Sequence, residues 1–344
     1  MRFFIPVIVV CTAGFLQACP AKVDQMTIGR VLPAALEQGN IPQACAMGSA
    51  FTPALAALGT KRKAPEVALA VTGVASAICA ELETQEADLR AESVRKHSMG
   101  QPYAIQAYTD ARIARARAHT RAAKEFHTVW NSFQTLYPGA EELCPKLSTK
   151  EEPVYLIGLL SGLLSVLHDG NGGRQAAIPQ DVVLQAARAA RCLPSERWFE
   201  VPAAIEAAAW GCIPGSGPKD VDPFQRLNEL SVAGSQQGVR LTRALQVLVS
   251  ANAGRDQEVA AGIESAALSF ESTPGANEWM LLDELSFSLI QHESDLIWIR
   301  ASGHRTEKLG VLPNAEPADS EINNTPDESD PFGDPPSPEA DPFQ

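Results

Sequence analysis

The chain has 344 residues, a net charge of −13 and a hydrophobic fraction of 45%. That length is enough to bury one large hydrophobic core or two smaller ones. No basic patch dominates any part of the sequence, which argues against nucleic-acid binding.

The first 18 residues are typical of a secretory signal peptide. Arg2 precedes the apolar stretch 3–15, which is shorter than the roughly 20 residues needed to span a bilayer. The run Leu16–Cys19 resembles the lipobox of bacterial lipoproteins, so we expect cleavage before Cys19 and acylation of its thiol. Pro20 follows where inner-membrane lipoproteins carry Asp, and this resemblance implies the periplasmic face of the outer membrane. The alternative is an ordinary signal peptide with an incidental cysteine.

The mature chain to residue 312 is predicted to be all-α. Ala is abundant, apolar residues recur at spacings of three and four, and no segment alternates with period two. Gly and Pro separate the helices, and the short connections favour stacked antiparallel helical hairpins in one domain, 19–312. The predicted helices are 26–37, 42–58, 65–97, 103–136, 151–168, 179–192, 198–211, 222–235, 238–252, 256–271 and 276–301.

The two longest predicted helices carry opposite charges. Folding the chain back near Gly100 sets Asp88 level with Arg112, and Glu81 level with His119. We predict exposed ion pairs between the two helices, each stabilising by about 0.2–1 kcal/mol. The alternative is a basic groove for an anionic ligand.

Five of the seven cysteines remain once Cys11 has left with the signal peptide and Cys19 is acylated. An oxidising periplasm favours pairing, with one cysteine left over. Cys45 and Cys79 lie at nearly equal distances from the turn that joins their helices, which predicts a disulfide between them. Cys192 and Cys212 both end predicted helices, each with Pro two positions later, and we expect them to pair as well.

Residues 313–344 are predicted to be a disordered acidic tail. The segment holds eight Pro, nine acidic residues and no Lys or Arg, so it cannot bury enough apolar surface to offset its ordering entropy. An Asp-Pro-Phe unit occurs twice, at 330–332 and 341–343. We interpret the repeat as compositional drift, and the alternative is a short docking motif.

Several features in order resemble the T-component lipoproteins that accompany tripartite, ATP-independent periplasmic transporters. The Ala-rich segments 186–194 and 260–274 are similar to second helices of degenerate tetratricopeptide repeats. After the lipobox, the segments of this chain that resemble the family are, in order, Thr52–Leu55, Gln85–Asp88, Ala111–Arg117 and Glu152–Gly158. The resemblance implies a tetratricopeptide-like all-α fold with an apolar channel. It also implies a periplasmic substrate-binding protein as partner and a hydrophobic small molecule as ligand.

The predicted helix 151–168 is apolar nearly all round and is therefore expected to be central. Gly158 and Gly162 leave one face bare, for close helix packing or for a cavity wall. If a ligand channel exists, we expect six residues to line it: Tyr155, Leu159, Leu163, Val166, Trp130 and Trp210.

The sequence shows no metal or cofactor site. No Cys-x-x-Cys motif occurs, and His119 and His127 are eight residues apart, where a helical metal pair needs three or four. The Gly-rich run 168–173 lacks the acidic ligands of a calcium loop and is interpreted as a helix stop. An enzyme would need a buried titratable cluster that the sequence does not reveal. We therefore expect a non-enzymatic accessory component of a transport system, and the alternative is a structural scaffold for envelope assembly without a small ligand.

Overall fold

The computed structural model describes residues 20–58, 64–97 and 103–313. The predicted signal peptide, the lipidation site Cys19 and the tail beyond Pro313 lie outside these residues and stay predictions. The described part contains helices and no strand, which confirms the all-α prediction.

The helices follow one another with short connections. Helix α1 covers 20–38 and has a π-helical segment, Thr27–Val31, between Pro20–Met26 and Leu32–Gln38. The following helices are α2 (Ile41–Leu58), α3 (Glu66–His97), α4 (Ala104–Leu136), α5 (Glu152–Asn171), α6 (Asp181–Ala190), α7 (Val201–Cys212), α8 (Pro223–Ser235), α9 (Leu241–Asn252), α10 (Asp256–Ser272) and α11 (Met280–Ser302).

Local signals explain where several of these helices begin and end. The side chain of Asp222 caps α8 by accepting a hydrogen bond from the backbone N–H of Phe224 at 2.9 Å. Gly39 ends α1 and Gly303 ends α11, with φ of 58° and 87° respectively. Glycine adopts this left-handed conformation without the steric cost that other residues incur.

From α2 onwards each helix packs against the next, and the last helix returns to the beginning of the fold. Helix α11 contacts α3, α1 and α9, so the C-terminal helix covers a face that the early helices leave open. Two helices of the described part, α3 and α5, are long and apolar enough to cross a membrane. In this fold, 67% and 72% of their apolar windows are buried, as in the core helices of a globular domain.

The bare face of α5 serves close helix packing. A Cβ atom placed on Gly158 would overlap the ring of Phe133, and one placed on Gly162 would lie 2.6 Å from the ring of Trp130. These rings occupy the space that the glycines leave. This face of α5 is therefore used for close helix packing and does not form a cavity wall.

One of the two predicted disulfides is present. Cys45 and Cys79 join α2 to α3 with their Cα atoms 5.1 Å apart, which confirms that prediction. The predicted Cys192–Cys212 pair is wrong, because Cys192 bonds to Cys144 (Cα–Cα 5.2 Å) and Cys212 is a free thiol. Cys192 follows the end of α6, whereas Cys212 ends the 12-residue α7. Antiparallel neighbours place such ends at opposite ends of the pair, roughly 18 Å apart.

The charged α3–α4 hairpin differs from its predicted register and environment. Arg115 pairs with Asp88 and Arg121 with Glu83, so the ladder is offset by about one helical turn from the predicted Asp88–Arg112 register. Glu81 bonds to His168 of α5 instead of lying level with His119. Asp88 and Glu81 are buried because α5 and α11 cover this face, so the energy expected for exposed pairs does not apply to them.

Candidate functional site

A central cavity of about 90 Å³ lies among the helices, and its wall is almost entirely apolar. Stripes of residues at spacings of three and four on α3, α5, α9 and α11 face it, together with parts of α1 and α2. The apolar lining residues are Leu32, Ala35, Leu36, Ala44, Met47, Val71, Val74, Ala75, Ile78, Phe126, Ile157, Leu160, Leu164, Leu241, Ala244, Leu245, Leu248, Leu281, Leu282, Leu285 and Leu289. An apolar wall of this kind disfavours water.

Only two lining residues are polar, Glu81 and Ser161. The Ser161 hydroxyl donates to the carbonyl of Ile157 at 2.8 Å, within its own helix. Glu81 is therefore the only ionisable group in the described wall of the cavity.

The residues that we expected to line a channel lie elsewhere. Four of them, Tyr155, Leu159, Leu163 and Trp130, are almost completely buried in the main hydrophobic core. Tyr155 also donates a hydrogen bond to the carbonyl of Ala189 at 3.0 Å, which fixes it against α6.

The other two expected lining residues are only partly buried and also lie away from the central cavity. Val166 lines a separate polar pocket, and Trp210 packs against the core near Gly217. The expectation fails because the cavity lies against the opposite face of α5, at Ile157, Leu160 and Leu164.

Glu81 belongs to a group of five buried ionisable residues, which we call the histidine–carboxylate cluster. It consists of Glu81, Asp88, His119, His168 and His292, and each is at most 8% exposed. Helix α3 supplies both carboxylates, while α4, α5 and α11 supply one histidine each. The cluster therefore joins four helices at the centre of the fold.

The first half of the cluster forms a continuous chain of hydrogen bonds from the cavity wall. The Nε2 atom of His168 lies 2.6 Å from Oε2 of Glu81. Its Nδ1 lies 3.0 Å from Nδ1 of His119. The Nε2 atom of His119 then lies 2.9 Å from Oδ1 of Asp88. Phe126, which lines the cavity, stacks on the His168 ring with a centroid distance of 5.5 Å.

Asp88 is the centre of the second half. It accepts from His119 and from the Nε of Arg115, and its Oδ2 lies 3.4 Å from Nε2 of His292. The Nδ1 atom of His292 is buried and has no hydrogen-bond partner among the described residues. The guanidinium of Arg115 is half-exposed, so it connects the cluster to the surface of α4.

The His119 and His168 rings lie end to end between the two carboxylates. Each ring uses its Nε2–H to donate to a carboxylate. A short contact between the two Nδ1 atoms is attractive only when exactly one of them carries a proton.

The same contacts keep both carboxylates ionised. Burial opposes the charge on Asp88, but the hydrogen bonds from His119 and His292 and the charge of Arg115 outweigh it and hold the pKa of Asp88 well below its usual range. Burial also opposes the charge on Glu81, and the charge and hydrogen bond of His168 lower the pKa of Glu81 below its ordinary value.

The environment of His292 favours its protonated form. Burial alone would lower its pKa, but the hydrogen bond to Asp88 and the nearby carboxyl groups of Glu293, Asp88 and Glu81 raise it above the ordinary histidine value. Burial raises the pKa of Glu293, which is next in sequence. The protonated forms of these two groups therefore extend to higher pH than in an unfolded chain.

The wall of the cavity exposes almost no polar atoms. An ionised Glu81 with a lowered pKa is a weak general base, and the other cluster residues lie behind it, away from the cavity. Among the described residues, no group of three or more His, Cys, Asp or Glu side chains is arranged to hold a metal ion.

The sequence contains a signal for the cluster that we did not use. Glu81, Gln85 and Asp88 follow one another at spacings of four and three, so they occupy one face of α3. That face continues the apolar stripe of Val71, Val74 and Ile78, which places polar groups in line with the core. His168, near the end of the strongly apolar helix α5, is a second signal, but its partner helices could not be identified from sequence.

No family model, curated protein or solved structure matches this chain. The resemblance to T-component lipoproteins therefore stays a prediction.

Proposed function

We propose that this protein is a non-enzymatic accessory component of a transport system, which holds a small hydrophobic solute in its central cavity. The single observation that carries the proposal is the cavity itself, which is lined by 21 apolar residues from several helices. Ligand sites are typically concave and apolar with few polar groups. Acylation at Cys19 would hold the protein on the periplasmic face of the outer membrane, where a soluble substrate-binding protein could deliver or collect the solute.

The cavity volume limits the ligand to a short hydrocarbon segment or to the apolar end of a larger molecule. Burying such a segment contributes about 0.8 kcal/mol per CH₂ group. The cavity wall is built from aliphatic side chains on helices that pack firmly elsewhere, which is the arrangement of a largely preformed site.

The test is a substitution that fills part of the cavity with a larger side chain. Ala35 lines the cavity, whereas its neighbour Ala34 is exposed on the same helix. We expect Ala35→Leu to weaken binding of a hydrophobic probe such as hexanol about tenfold, because two or more methylene volumes are removed from the site. The measurement is a chemical-shift titration of the purified domain, or native mass spectrometry of co-purified ligand.

Ala34→Leu is the matched control and should bind the probe as the unsubstituted protein does. Equal affinity of both variants, or no binding of any hydrophobic probe by the unsubstituted protein, would contradict the proposal. That second result would favour a structural scaffold for envelope assembly.

A further inference from the structure

We propose that the central cavity admits hydrocarbon groups only, and that His168 maintains this selectivity by holding the Glu81 carboxylate away from the cavity. This inference rests on the proposed function of the cavity and adds the chemical class of its ligand. It follows from the few polar atoms that the wall exposes and from the contacts that hold the carboxylate in place.

Both polar residues of the described wall turn their polar atoms away from the cavity. The wall exposes almost no polar surface, so Glu81 and Ser161 line it with carbon atoms. The Ser161 hydroxyl is used within its own helix, where it donates to the carbonyl of Ile157 at 2.8 Å. A hydroxyl, ammonium or carboxyl group of a ligand inside the cavity would therefore lose its hydration without gaining a partner, which is costly.

Contacts behind the wall fix the position of the Glu81 carboxylate. Its Oε2 lies 2.6 Å from Nε2 of His168, and its Oε1 accepts a longer hydrogen bond, 3.3 Å, from Nε2 of Gln85. Phe126 lines the cavity and stacks on the His168 ring with a centroid distance of 5.5 Å, so the cavity meets a phenyl ring on this side. The contact with His168 is the shorter of the two and therefore determines where the carboxylate lies.

Loss of this contact would let water into the cavity. Its volume of about 90 Å³ has room for water, and the lack of polar partners in the described wall is what keeps it dry. A Glu81 side chain that is released from His168 can turn its carboxyl group into this space and offer a hydrogen bond to water or to a ligand hydroxyl. His168 is thus a positioning residue, which separates an ionisable group from a site that excludes water.

The ligand that fits such a wall is an unsubstituted hydrocarbon or the hydrocarbon end of a larger molecule. Because the wall offers no hydrogen bond, it distinguishes ligands by size and shape and rejects any polar substituent that would lie inside. An amphiphile such as hexanol therefore binds through its hydrocarbon end, with its hydroxyl outside the cavity.

The test compares pentane with butan-1-ol, which has nearly the same size and shape. Binding of both probes to the unsubstituted protein is followed by chemical-shift titration near pH 7. Butanol must either bury its hydroxyl without a partner or leave it outside and bury one carbon fewer. We expect pentane to bind at least about fivefold more tightly than butanol.

The variant His168→Leu separates positioning from packing. It releases the Glu81 carboxyl group, which can then form a hydrogen bond with the butanol hydroxyl, and should reduce the preference for pentane to less than about twofold. A merely structural effect would weaken the binding of both probes alike and leave their ratio unchanged. His127→Leu is the matched control, because His127 is partly buried in α4 but lies outside the cluster and outside the cavity wall.

The results distinguish this inference from the function on which it rests. Equal affinities of the unsubstituted protein for pentane and butanol, or an unchanged ratio in His168→Leu, would overturn the inference and leave the cavity function standing. Glu81→Gln keeps an acceptor for His168 and should retain the preference for pentane. If His168→Leu does not fold, Glu81→Gln decides, and a lost preference would overturn the inference. A failure of both probes to bind the unsubstituted protein would overturn the proposed function itself.

Discussion

Asp88 shows at the scale of single residues how this fold accommodates buried charge. Four helices meet at its side chain or at its partners, and its two oxygens contact His119, Arg115 and His292. A carboxylate in such a position is stable only while its partners carry protons or positive charge. The cluster should therefore make stability depend on pH in a direction that can be worked out for each group.

His292 gives the clearest case. Its pKa is raised in the folded protein, so its contribution to stability is fully present below the ordinary value of about 6.5 and is lost as pH rises through the folded value. Substitution His292→Gln should lower the free energy of unfolding by roughly 1–3 kcal/mol at pH values below 6.5, and by less at higher pH. Urea denaturation at a series of pH values measures this difference.

The comparison between variants removes the contributions of other groups. Burial raises the pKa of Glu293, which weakens stability in the same direction as pH rises. Burial lowers the pKa of His127, so that residue acts in the opposite sense, weakening stability as pH falls below the ordinary histidine value. His304→Gln is the control, since His304 is exposed. A His292→Gln difference that is constant with pH would contradict the assignment.

At the scale of helices, the close packing of α5 against α4 depends on a glycine, Gly162, which has no side chain. Gly162 lets the Trp130 ring approach the α5 backbone, and a Cβ atom there would lie 2.6 Å from the ring. Trp130 is itself 1% exposed and stacks on Phe133, so it has little room to move. The packing of α4 against α5 therefore requires glycine at position 162.

We expect Gly162→Ala to destabilise the protein by about 1–3 kcal/mol, because overpacking outweighs the gain in helix propensity. Gly170→Ala is the matched control in the same helix, where a new Cβ atom meets nothing within 4 Å. That control should be neutral or stabilising by up to about 1 kcal/mol. Thermal and urea unfolding measure both, and equal stability of the two variants would refute the packing argument.

Local signals explain why the helices could be predicted from the sequence. Periodicity, Gly and Pro stops and short connections act within a few residues, and the Cys45–Cys79 bond follows from one shared turn. The bond between Cys144 and Cys192 could not be inferred in the same way, because Cys144 lies in an irregular segment whose path depends on packing against α6.

At the scale of the whole molecule, the cavity and the cluster depend on contacts that are far apart in sequence. His292 reaches Asp88 across about 200 residues, and the cavity closes only when α11 returns to α3 and α1. Sequence periodicity identifies an apolar helix but not which of its faces meets a cavity. This is why α5 was correctly predicted to be central while Tyr155, Leu159 and Leu163 were assigned to the wrong surroundings.

The last prediction concerns how the anchor relates to the cavity. Helix α1 begins at Pro20, the residue after Cys19 in the sequence, and it contributes Leu32 and Leu36 to the cavity wall. At 1.5 Å per residue, this wall lies within roughly 25 Å of an acylated terminus. A lipid anchor on Cys19 would thus hold the cavity close to the bilayer surface, where hydrophobic solutes concentrate.

Cys19→Ser should abolish incorporation of labelled palmitate and move the protein from the membrane fraction to the soluble fraction. Cys212→Ser removes a free thiol in the described domain and is the control, which should remain labelled and membrane-bound. Because the substitution lies outside the cavity wall, the Cys19→Ser protein should still bind hexanol with unchanged affinity. Persistent labelling of Cys19→Ser would show that the lipobox is not used, whereas lost hexanol binding would show that anchor and cavity are not independent.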